Sequence, residues 1–502
     1  MHYTLYFRKV KREFFILGEF QVNEFFYRAD PAFSFQRVGS ALELDIFRKR
    51  TYTVYIIISR KKVLCTSETQ NTLLHGPVRP ALLRYALPII LSMVATQFYS
   101  VADTMIIGLR LDADALAAVS NASTVLMIFL FISGGMELGG GLLVAAGKPT
   151  ATRQEMAELL YNLLFVDLVL ALGLTALGFF TLPALLRLIR TPEEILAEAV
   201  LYGRVYLVGL PFLMLYDLTK ECVMGCGDSK TPLRAVVATS VMNILLDLAL
   251  VGPFGVAGAA GATAAAQIAG AVYMLAHLRK TELDTPFRRE MLKAKYAKEI
   301  FRLSAPNSLQ QASGTIITTV KQGLLGGLGV AAIAGFSCAG KLSSLMMMPV
   351  YGFVQSIVFF IAQNTTAAQP QRVQEGLREG RRILFFYSLL VAALCIGLNG
   401  PLLRLFTTDA SAAAYGSTML AFEGLTYIFT AQKHLCEARL RGAQKMGLYL
   451  ASNLGQIGLN LCACVLLVPR IGFSGFWLST WISAPAGLVL AALLAKIGAK
   501  QT

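Results

Sequence analysis

The sequence lacks the short motifs of the common soluble enzymes. It has no H-E-x-x-H, no G-x-S-x-G elbow and no cluster of metal-ligating residues. The nearest match to a phosphate-binding loop, residues 141–148, has its first glycine one residue too far from Lys148, and Pro149 replaces the required serine or threonine. We therefore expect no catalytic residues, no metal and no cofactor.

Paired cysteine motifs are also missing, because none of the eight cysteines forms a C-x-x-C. Most of them lie within apolar runs, where a thiol behaves as a small packing residue. We expect no structural disulfides.

What the chain has in excess is apolar sequence. Hydrophobic residues make up 55% of its 502 residues, and its mean hydropathy is +0.59, which is more than the core of a soluble domain uses. From about residue 81 onward, apolar runs approach the roughly 20 residues that a helix needs to cross a bilayer. We predict an all-α membrane protein with twelve transmembrane spans. They lie at 83–108, 118–145, 157–180, 198–222, 234–252, 257–278, 302–326, 331–362, 383–403, 415–438, 448–468 and 475–495.

Lysine and arginine concentrate in two predicted loops, at 279–298 and 372–382. Because such loops stay in the cytoplasm and the span count is even, we predict that both ends of the membrane core are cytoplasmic. Arg187 and Arg190 lie in a predicted loop on the opposite side of the membrane. The excess of positive charge on the cytoplasmic side therefore holds only when all loops are counted together. The net charge of +15 lies beside apolar spans, which predicts contact with membrane lipid headgroups and no nucleic-acid partner.

Residues 1–74 differ from the rest, because charged clusters such as Arg48, Lys49 and Arg50 interrupt their aromatic runs. None of the runs is long enough to span a membrane, and the segment has no signal-peptide layout. We predict a poorly ordered extension or an upstream start-codon assignment; a small cytoplasmic appendage is the alternative.

The membrane core repeats itself. Residues 82–108 align with 300–326, residues 209–230 with 424–445, and residues 255–260 with 472–477, at offsets of 215–218. In the second match Gly227 stands opposite Gly442. Three matches in one order predict two six-helix lobes, 75–285 and 286–502, related by a pseudo-twofold axis along the membrane normal and enclosing a central cavity. A duplicated bundle without transport is the alternative.

The aligned motifs resemble those of the multidrug and toxic compound extrusion (MATE) family. They are FYSVAD (98–103), LDADALAAVSNAS (111–123), GCGDSKTPL (225–233) and NILLD (243–247). The resemblance covers about 75–498 and is nearest to the DinF-like branch, which keeps acids in the first and fifth spans. It implies an ion-coupled antiporter that works by alternating access.

The resemblance also implies an ion site. Asp103 and Asp247 match the family's proposed cation or proton site, and Tyr99, Asn243 and Thr263 match positions that line it. Independently, an ionised carboxylate within a span costs about 2.5–3.5 kcal/mol or more, so such residues are usually functional. We expect both acids to bind H+ or Na+; the alternative is a hydrogen bond to a neighbouring helix.

Other charges within the spans are unusual for the family. In the fourth span Asp217 shares a helical face with Lys220 and with Glu221. Lys220 could pair with Asp103, Asp247 or Asp217, which would keep that partner ionised and weaken its role as a proton carrier. Alternatively, Lys220 and Glu221 lie near the cytoplasmic end and extend to water.

Lys321 stands opposite Asp103 in the internal alignment. This predicts either a charge pair across the cavity that gates access or attraction of an anionic substrate. Glu137 of the second span and the tenth-span set of Lys433, His434 and Glu437 are further candidates, with His434 either a proton relay or a packing residue. The predicted cavity charges are Asp217, Lys220, Glu221, Lys321, Glu137 and His434.

Together these features predict a monomeric secondary antiporter of the cell membrane. It would export amphipathic, cationic small molecules in exchange for H+ or Na+, and carboxylates leave the choice of ion open. A flippase for lipid-linked precursors is the alternative, favoured if Lys220 and Lys321 bind phosphate. A membrane-embedded enzyme would need paired acid-rich Mg²⁺ motifs, and the sequence has none.

Overall fold

The computed structural model describes residues 73–500, so the predicted extension lies almost wholly outside the described residues. Within that range the chain is helical and contains no strand. The helices are α1 (Val78–Arg110), α2 (Ala113–Gly147), α3 (Arg153–Leu188), α4 (Glu193–Gly225), α5 (Lys230–Thr281), α6 (Ala294–Gly326), α7 (Val330–Thr366), α8 (Pro370–Gly397), α9 (Asn399–Arg404), α10 (Ala410–Gly442), α11 (Met446–Ile471) and α12 (Ser474–Lys500), with a 3₁₀ turn at Arg289–Met291.

These helices confirm the predicted fold class. Nine helices between residues 73 and 500 are long and apolar enough to cross a membrane, and one of them, α5, contains two predicted spans. The helices α6 and α10 have 33 residues each but are more polar. Their polar residues are those expected to line a cavity between two lobes, so the nine apolar helices are consistent with twelve membrane crossings.

A glycine kink divides α5. At Gly255 φ is +57° and ψ is −140°, a conformation that a residue with a Cβ rarely adopts. Gly472, between α11 and α12, has φ +63° and ψ −142° at an offset of 217 residues. The two lobes therefore share a backbone feature at the third match of the internal alignment.

The fourth helix of each lobe requires a correction to that alignment. Both α4 and α10 have 33 residues, and their first and last residues are offset by 217. Gly442 thus corresponds to Gly225, and the predicted match with Gly227 was wrong by two residues. Gly227 corresponds to Gln444, and both have positive φ, +98° and +57°. In both loops a glycine lies three residues before a lysine, at Gly227 and Lys230 and at Gly442 and Lys445. An alignment based on residue identity alone therefore gave the wrong register.

The lobes, α1–α5 and α6–α12, meet where α1 packs on α7 and α2 packs on α6. We call the membrane face that carries the connecting segment, residues 282–293, the linker face. Near it, α1 is buried along one side over 78–89, and α7 is almost wholly buried over 350–364. Between 90 and 105 no side chain of α1 is buried, and Phe98 is 73% exposed. The lobes are therefore closed at the linker face, and the cleft between them opens toward the opposite face.

At the start of α5, a capping carboxylate stabilises the loop that follows α4. The carboxylate of Asp228 accepts hydrogen bonds from the backbone N–H groups of Lys230 and Thr231 at 3.0 and 3.1 Å. Burial alone would raise the pKa of Asp228, but hydrogen bonds with His277 and Thr231 lower it to about 2. The cap is therefore charged at physiological pH, as a helix N-terminus favours.

Two short segments cross between the lobes at the linker face. The segment before α1 binds the second lobe, because the guanidinium of Arg372 donates to the backbone carbonyls of Leu73, His75 and Gly76. The connecting segment 282–293 binds the first lobe in return. Its contacts are Lys148–Glu282 at 2.6 Å, Arg153–Asp284 at 2.8 Å, Tyr161 hydroxyl to Thr285 carbonyl at 2.9 Å, Asn162 amide to Met291 carbonyl at 2.7 Å and Lys293–Glu158 at 2.5 Å.

We expect Lys148→Met to lower the free energy of unfolding by about 1–3 kcal/mol, because it leaves the carboxylate of Glu282 without its partner. The Glu282 side chain is only 9% exposed. Arg153→Met is the matched control, since the Arg153–Asp284 pair is 88% and 51% exposed and such pairs contribute little. Thermal unfolding midpoints of the purified variants in detergent measure both effects. Equal midpoint shifts would contradict the expected difference.

Candidate functional site

Asp103 of α1 and Asp247 of α5 face each other between adjacent helices. Asp247 is fully buried, and Asp103 is partly buried. Among residues 73–500, no hydrogen-bond donor reaches Oδ1 of Asp103 or either carboxyl oxygen of Asp247. When one of the two is protonated, its carboxyl group is within hydrogen-bonding reach of the other, so the alternative expectation, a hydrogen bond to a neighbouring helix, is compatible with the pair. Two facing carboxyl groups repel when both are ionised, so the pair is suited to hold a proton or a cation.

The other three predicted ion-site residues line one small polar pocket. Asn243 Nδ2 donates to Thr263 Oγ1 at 3.3 Å, a contact between the two halves of α5. Tyr99 lies one helical turn from Asp103, as Asn243 does from Asp247, so the pocket adjoins the acid pair. The full lining is Tyr99, Thr239, Ser240, Asn243, Thr263, Ala266 and Gln267. The structure thus brings all five predicted residues together.

Gln267 was missed by the sequence analysis. Its Oε1 and the Oδ1 of Asn243 are buried without a donor in the described range. With the carboxyl oxygens of the acid pair, they form a set of unpaired oxygen acceptors. Such oxygens suit H+ or a hard monovalent cation, whereas no group of three or more His, Cys, Asp or Glu side chains within 73–500 could hold a metal ion.

Two tyrosines of α4 form a wall beside the acid pair. The rings of Tyr202 and Tyr206 stack with centroids 6.2 Å apart, and both side chains interact electrostatically with Asp103. The sequence analysis missed these residues, although their spacing of four in an apolar span was a usable signal. An aromatic wall next to a carboxyl group can hold an organic cation.

The fourth-span charges form a separate cluster nearer the linker face. Lys220 Nζ binds Asp217 Oδ1 at 2.6 Å, as their spacing predicted. Of the three acids proposed as partners for Lys220, the structure selects Asp217, so Asp103 and Asp247 have no salt bridge to it. Glu221 is 7% exposed and accepts a hydrogen bond from Gln355 Nε2 at 3.2 Å. The alternative, extension of Lys220 and Glu221 into water, was therefore wrong.

Two further acids border this cluster. Glu137 of α2 accepts a hydrogen bond from Ser133 Oγ at 3.2 Å and interacts with Asp217 and Lys220. Asp167 of α3 is 1% exposed, interacts with Asp217, and has an Oδ1 without a donor in residues 73–500. Asp167 was missed, although an acid in the run FVDLVL is a clear signal.

No ion pair joins Lys321 to Asp103 among residues 73–500, so the predicted charge pair across the cavity is not formed in this conformation. Lys321 interacts instead with Glu423 of α10, which accepts a hydrogen bond from Ser343 Oγ at 3.2 Å. Glu423 was also missed, and it stands 217 residues after Tyr206. The sequence could not reveal this pairing, because it depends on how α6 and α10 pack in the second lobe.

The remaining tenth-span candidates form a bonded network. Lys433 Nζ lies 3.0 Å and His434 Nδ1 lies 3.2 Å from the carboxylate of Glu437. Ser452 and Asn453 of α11 also donate to Glu437, at 2.8 and 3.0 Å. Because Lys433 and Glu437 are 4% and 3% exposed, this network is a buried, hydrogen-bonded contact between α10 and α11. His434 packs its ring on Tyr351, which agrees with the packing interpretation.

A second cavity is apolar, and no acid lines it. It has a volume of about 720 Å³ and lies between α2, α3 and α6, where Ile132, Leu170, Ser308 and Ile316 contribute to its wall. It is therefore distinct from the polar pocket at α1 and α5.

Comparison with known proteins agrees with the repeat and with the fold. A family model described as MatE matches residues 88–249 and again 306–466, once in each lobe. The probable multidrug resistance protein YpnP of Bacillus subtilis is 27% identical over 383 residues, which are 76% of this chain and 86% of that protein. The FAD transporter of Shewanella oneidensis is 26% identical over 440 residues, 84% of this chain and 92% of that protein.

Among solved structures, an outward-facing multidrug resistance MATE family transporter of the MOP superfamily matches with a TM-score of 0.77. It is 21% identical, and the match covers 85% of this chain and 96% of that one. At this identity the likeness establishes the fold: two lobes of membrane helices.

Proposed function

The chain belongs to the MatE (multidrug and toxic compound extrusion) family, and on this premise we propose that it is a secondary antiporter that exports amphipathic, cationic compounds in exchange for H+ or Na+. Of the relatives reported above, one is named as a probable multidrug resistance protein and the other as an FAD transporter. With no nucleotide motif in the sequence, the energy comes from an ion gradient, which supplies about 2.3 kcal/mol per charge per 100 mV.

The observation that carries the proposal is the facing pair Asp103 and Asp247. Two facing carboxyl groups, one buried and one partly buried, can hold either the coupling ion or the cationic group of a substrate, and binding of one excludes the other. The pocket of Tyr99, Asn243 and Thr263 supplies further oxygens for the ion. Acids in the first and fifth spans support membership of the DinF-like branch.

The cleft fits alternating access with the linker face in the cytoplasm. The lobes are closed there and open toward the other face, so this conformation is outward-facing under that orientation. Lysines and arginines at 279–298 support the orientation and supply contacts for anionic lipid headgroups. The chain works as a monomer, because the two lobes of a single chain enclose a complete cleft.

The flippase alternative loses its supporting observation. It depended on Lys220 and Lys321 as phosphate ligands, but Lys220 binds Asp217 at 2.6 Å and Lys321 faces Glu423. The acids beside both lysines disfavour a phosphate group. We therefore retain a cationic substrate as the proposal.

Transport of ethidium into inverted membrane vesicles tests this function. We expect dye uptake into the vesicles when either a pH gradient or a Na+ gradient, imposed separately, is directed outward from the vesicle lumen. The effective gradient identifies the coupling ion. Uptake that is the same with and without both gradients would contradict antiport.

A further inference from the structure

A chain of polar side chains, partly buried in its middle and buried at Glu221, connects the ion site with the linker face. It begins at Tyr99, which interacts electrostatically with Asp103 on one side and with Asp217 on the other. Asp217 in turn binds the ammonium group of Lys220 at 2.6 Å. The ion site and the fourth-span cluster are therefore adjacent steps along one path.

The middle of this path has more acids than bases. Around the single ammonium of Lys220 lie the carboxyl groups of Asp217, Glu137 and Glu221. Glu137 comes from α2 and the others from α4, so the cluster is held by two helices of the first lobe. Such a cluster can hold an exchangeable proton without an additional counter-ion.

Glu221 is the last carboxyl group of the path. It lies four residues before the end of α4 at Gly225, or about 6 Å from it along the helix. Its Oε2 accepts from Gln355 Nε2 at 3.2 Å, and Gln355 Oε1 accepts from Arg441 Nη2 at 3.2 Å. Both partners belong to the second lobe.

The groups that face Glu221 come from every helix around it. They are Lys220, Asp217 and Cys222 of α4, Tyr85 of α1, Glu137 of α2, Gln355 of α7 and Arg441 of α10. Tyr85 uses its hydroxyl to bond the carbonyl of Met224. Only Gln355 and Arg441 would move away from Glu221 if the lobes separated at the linker face, because the others belong to its own lobe.

We propose that Glu221 is the residue that releases the transported proton at the linker face, receiving it from Asp103 and Asp247 through Tyr99, Asp217 and Glu137. The inference rests on the proposed antiport in its H+ form. A proton leaves the acid pair and protonates a carboxylate of the Lys220 cluster, and the cluster loses one proton from Glu221 to water; only O–H bonds form and break. Separation of the lobes removes Gln355 and Arg441, and the water that enters solvates the carboxylate in their place and accepts the proton, which ties proton release to the inward-facing conformation.

If Glu221 served only as a structural bridge between the lobes, residue 221 would need a hydrogen-bond acceptor but not a titrating group. Glutamine keeps an oxygen that accepts from Gln355, but it does not titrate at physiological pH. Aspartate keeps a carboxyl group on a shorter side chain. Glu221→Gln and Glu221→Asp therefore separate proton transfer from bridging.

The experiment compares two transport modes of the purified protein in liposomes. One is net ethidium transport driven by a pH gradient, which needs proton release; the other is exchange of labelled for unlabelled ethidium at equal pH, which does not. We expect Glu221→Gln to lower pH-driven transport at least about tenfold and to leave exchange within about twofold. Glu221→Asp should recover most of the pH-driven rate.

Glu158→Gln is the matched control, because Glu158 is a buried acid of the same lobe that binds Lys293 outside this path. It should retain pH-driven transport. If wild type responds to the pH gradient and Glu221→Gln does so equally, or if Glu221→Asp is as impaired as Glu221→Gln, the inference is overturned while the antiport stands. If wild type responds to Na+ alone, the inference is likewise overturned; if it responds to neither gradient, the proposed function fails.

Discussion

Asp103→Asn and Asp247→Asn should each reduce gradient-driven ethidium transport about a hundredfold, because asparagine neither titrates nor carries the charge that the coupling ion or the substrate requires. The expectation follows from the geometry of the pair, which has no donor within residues 73–500 for either oxygen of Asp247. Transport into inverted vesicles measures it.

The same variants carry an internal check on folding. A neutral amide is less costly than a carboxylate in an apolar span, so Asp247→Asn should leave the thermal midpoint unchanged or raise it. Asp114→Asn is the control for the charge change, since Asp114 is exposed in the first turn of α2. Coupled transport that survives in both Asp103→Asn and Asp247→Asn would rule out this site as the coupling site.

Gly135→Val should prevent the two lobes from packing. A Cβ at Gly135 would lie 1.8 Å from Ser308 Oγ and 2.6 Å from its backbone nitrogen, so α2 and α6 would have to separate. Overpacking of this kind costs about 1–3 kcal/mol, and more where backbone atoms obstruct the new group. We expect a lower thermal midpoint and less folded protein in detergent, measured by size-exclusion chromatography after heating.

Gly173→Val is the matched control, because a Cβ at Gly173 meets no atom within 4 Å. Both substitutions replace glycine by valine within a membrane helix, so the intrinsic helix propensity changes equally. Equal midpoints for the two variants would show that the close contact of α2 with α6 is not what holds the lobes together.

The sequence was sufficient to predict the membrane architecture, because the length of an apolar run is set by the thickness of the bilayer. It also predicted the division at Gly255, where two spans were expected and one kinked helix is found. The lobes were predicted from the repeat, although α6 and α10 were harder to recognise by hydropathy alone.

For the site, local spacing was informative and distant pairing was not. The three-residue spacing of Asp217 and Lys220 predicted their shared face, and the structure joins them at 2.6 Å. The alignment that set Lys321 opposite Asp103 described equivalent positions and not contacts. Lys321 faces Glu423 because its surroundings are set by packing within its own lobe.

The corrected register also changes how the two lobes compare. With the 217-residue offset, the pair Asp217 and Lys220 corresponds to His434 and Glu437, so acid and base exchange places between the lobes. The first-lobe pair interacts with Tyr99 of the polar pocket, whereas Glu437 of the second-lobe pair accepts hydrogen bonds from α11 side chains. The path from the acid pair to Glu221 therefore belongs to the first lobe. The positions 217 residues later in the second lobe do not form an equivalent arrangement.

The most direct test of competition at Asp103 and Asp247 is equilibrium binding of ethidium to the purified protein, measured by fluorescence as the pH is lowered and, separately, as Na+ is added. We predict that one of these cations displaces ethidium from the wild type, and that the doubly substituted Asp103→Asn, Asp247→Asn protein shows no such displacement. Displacement of equal strength in the wild type and in the double variant would contradict a shared site for ion and substrate.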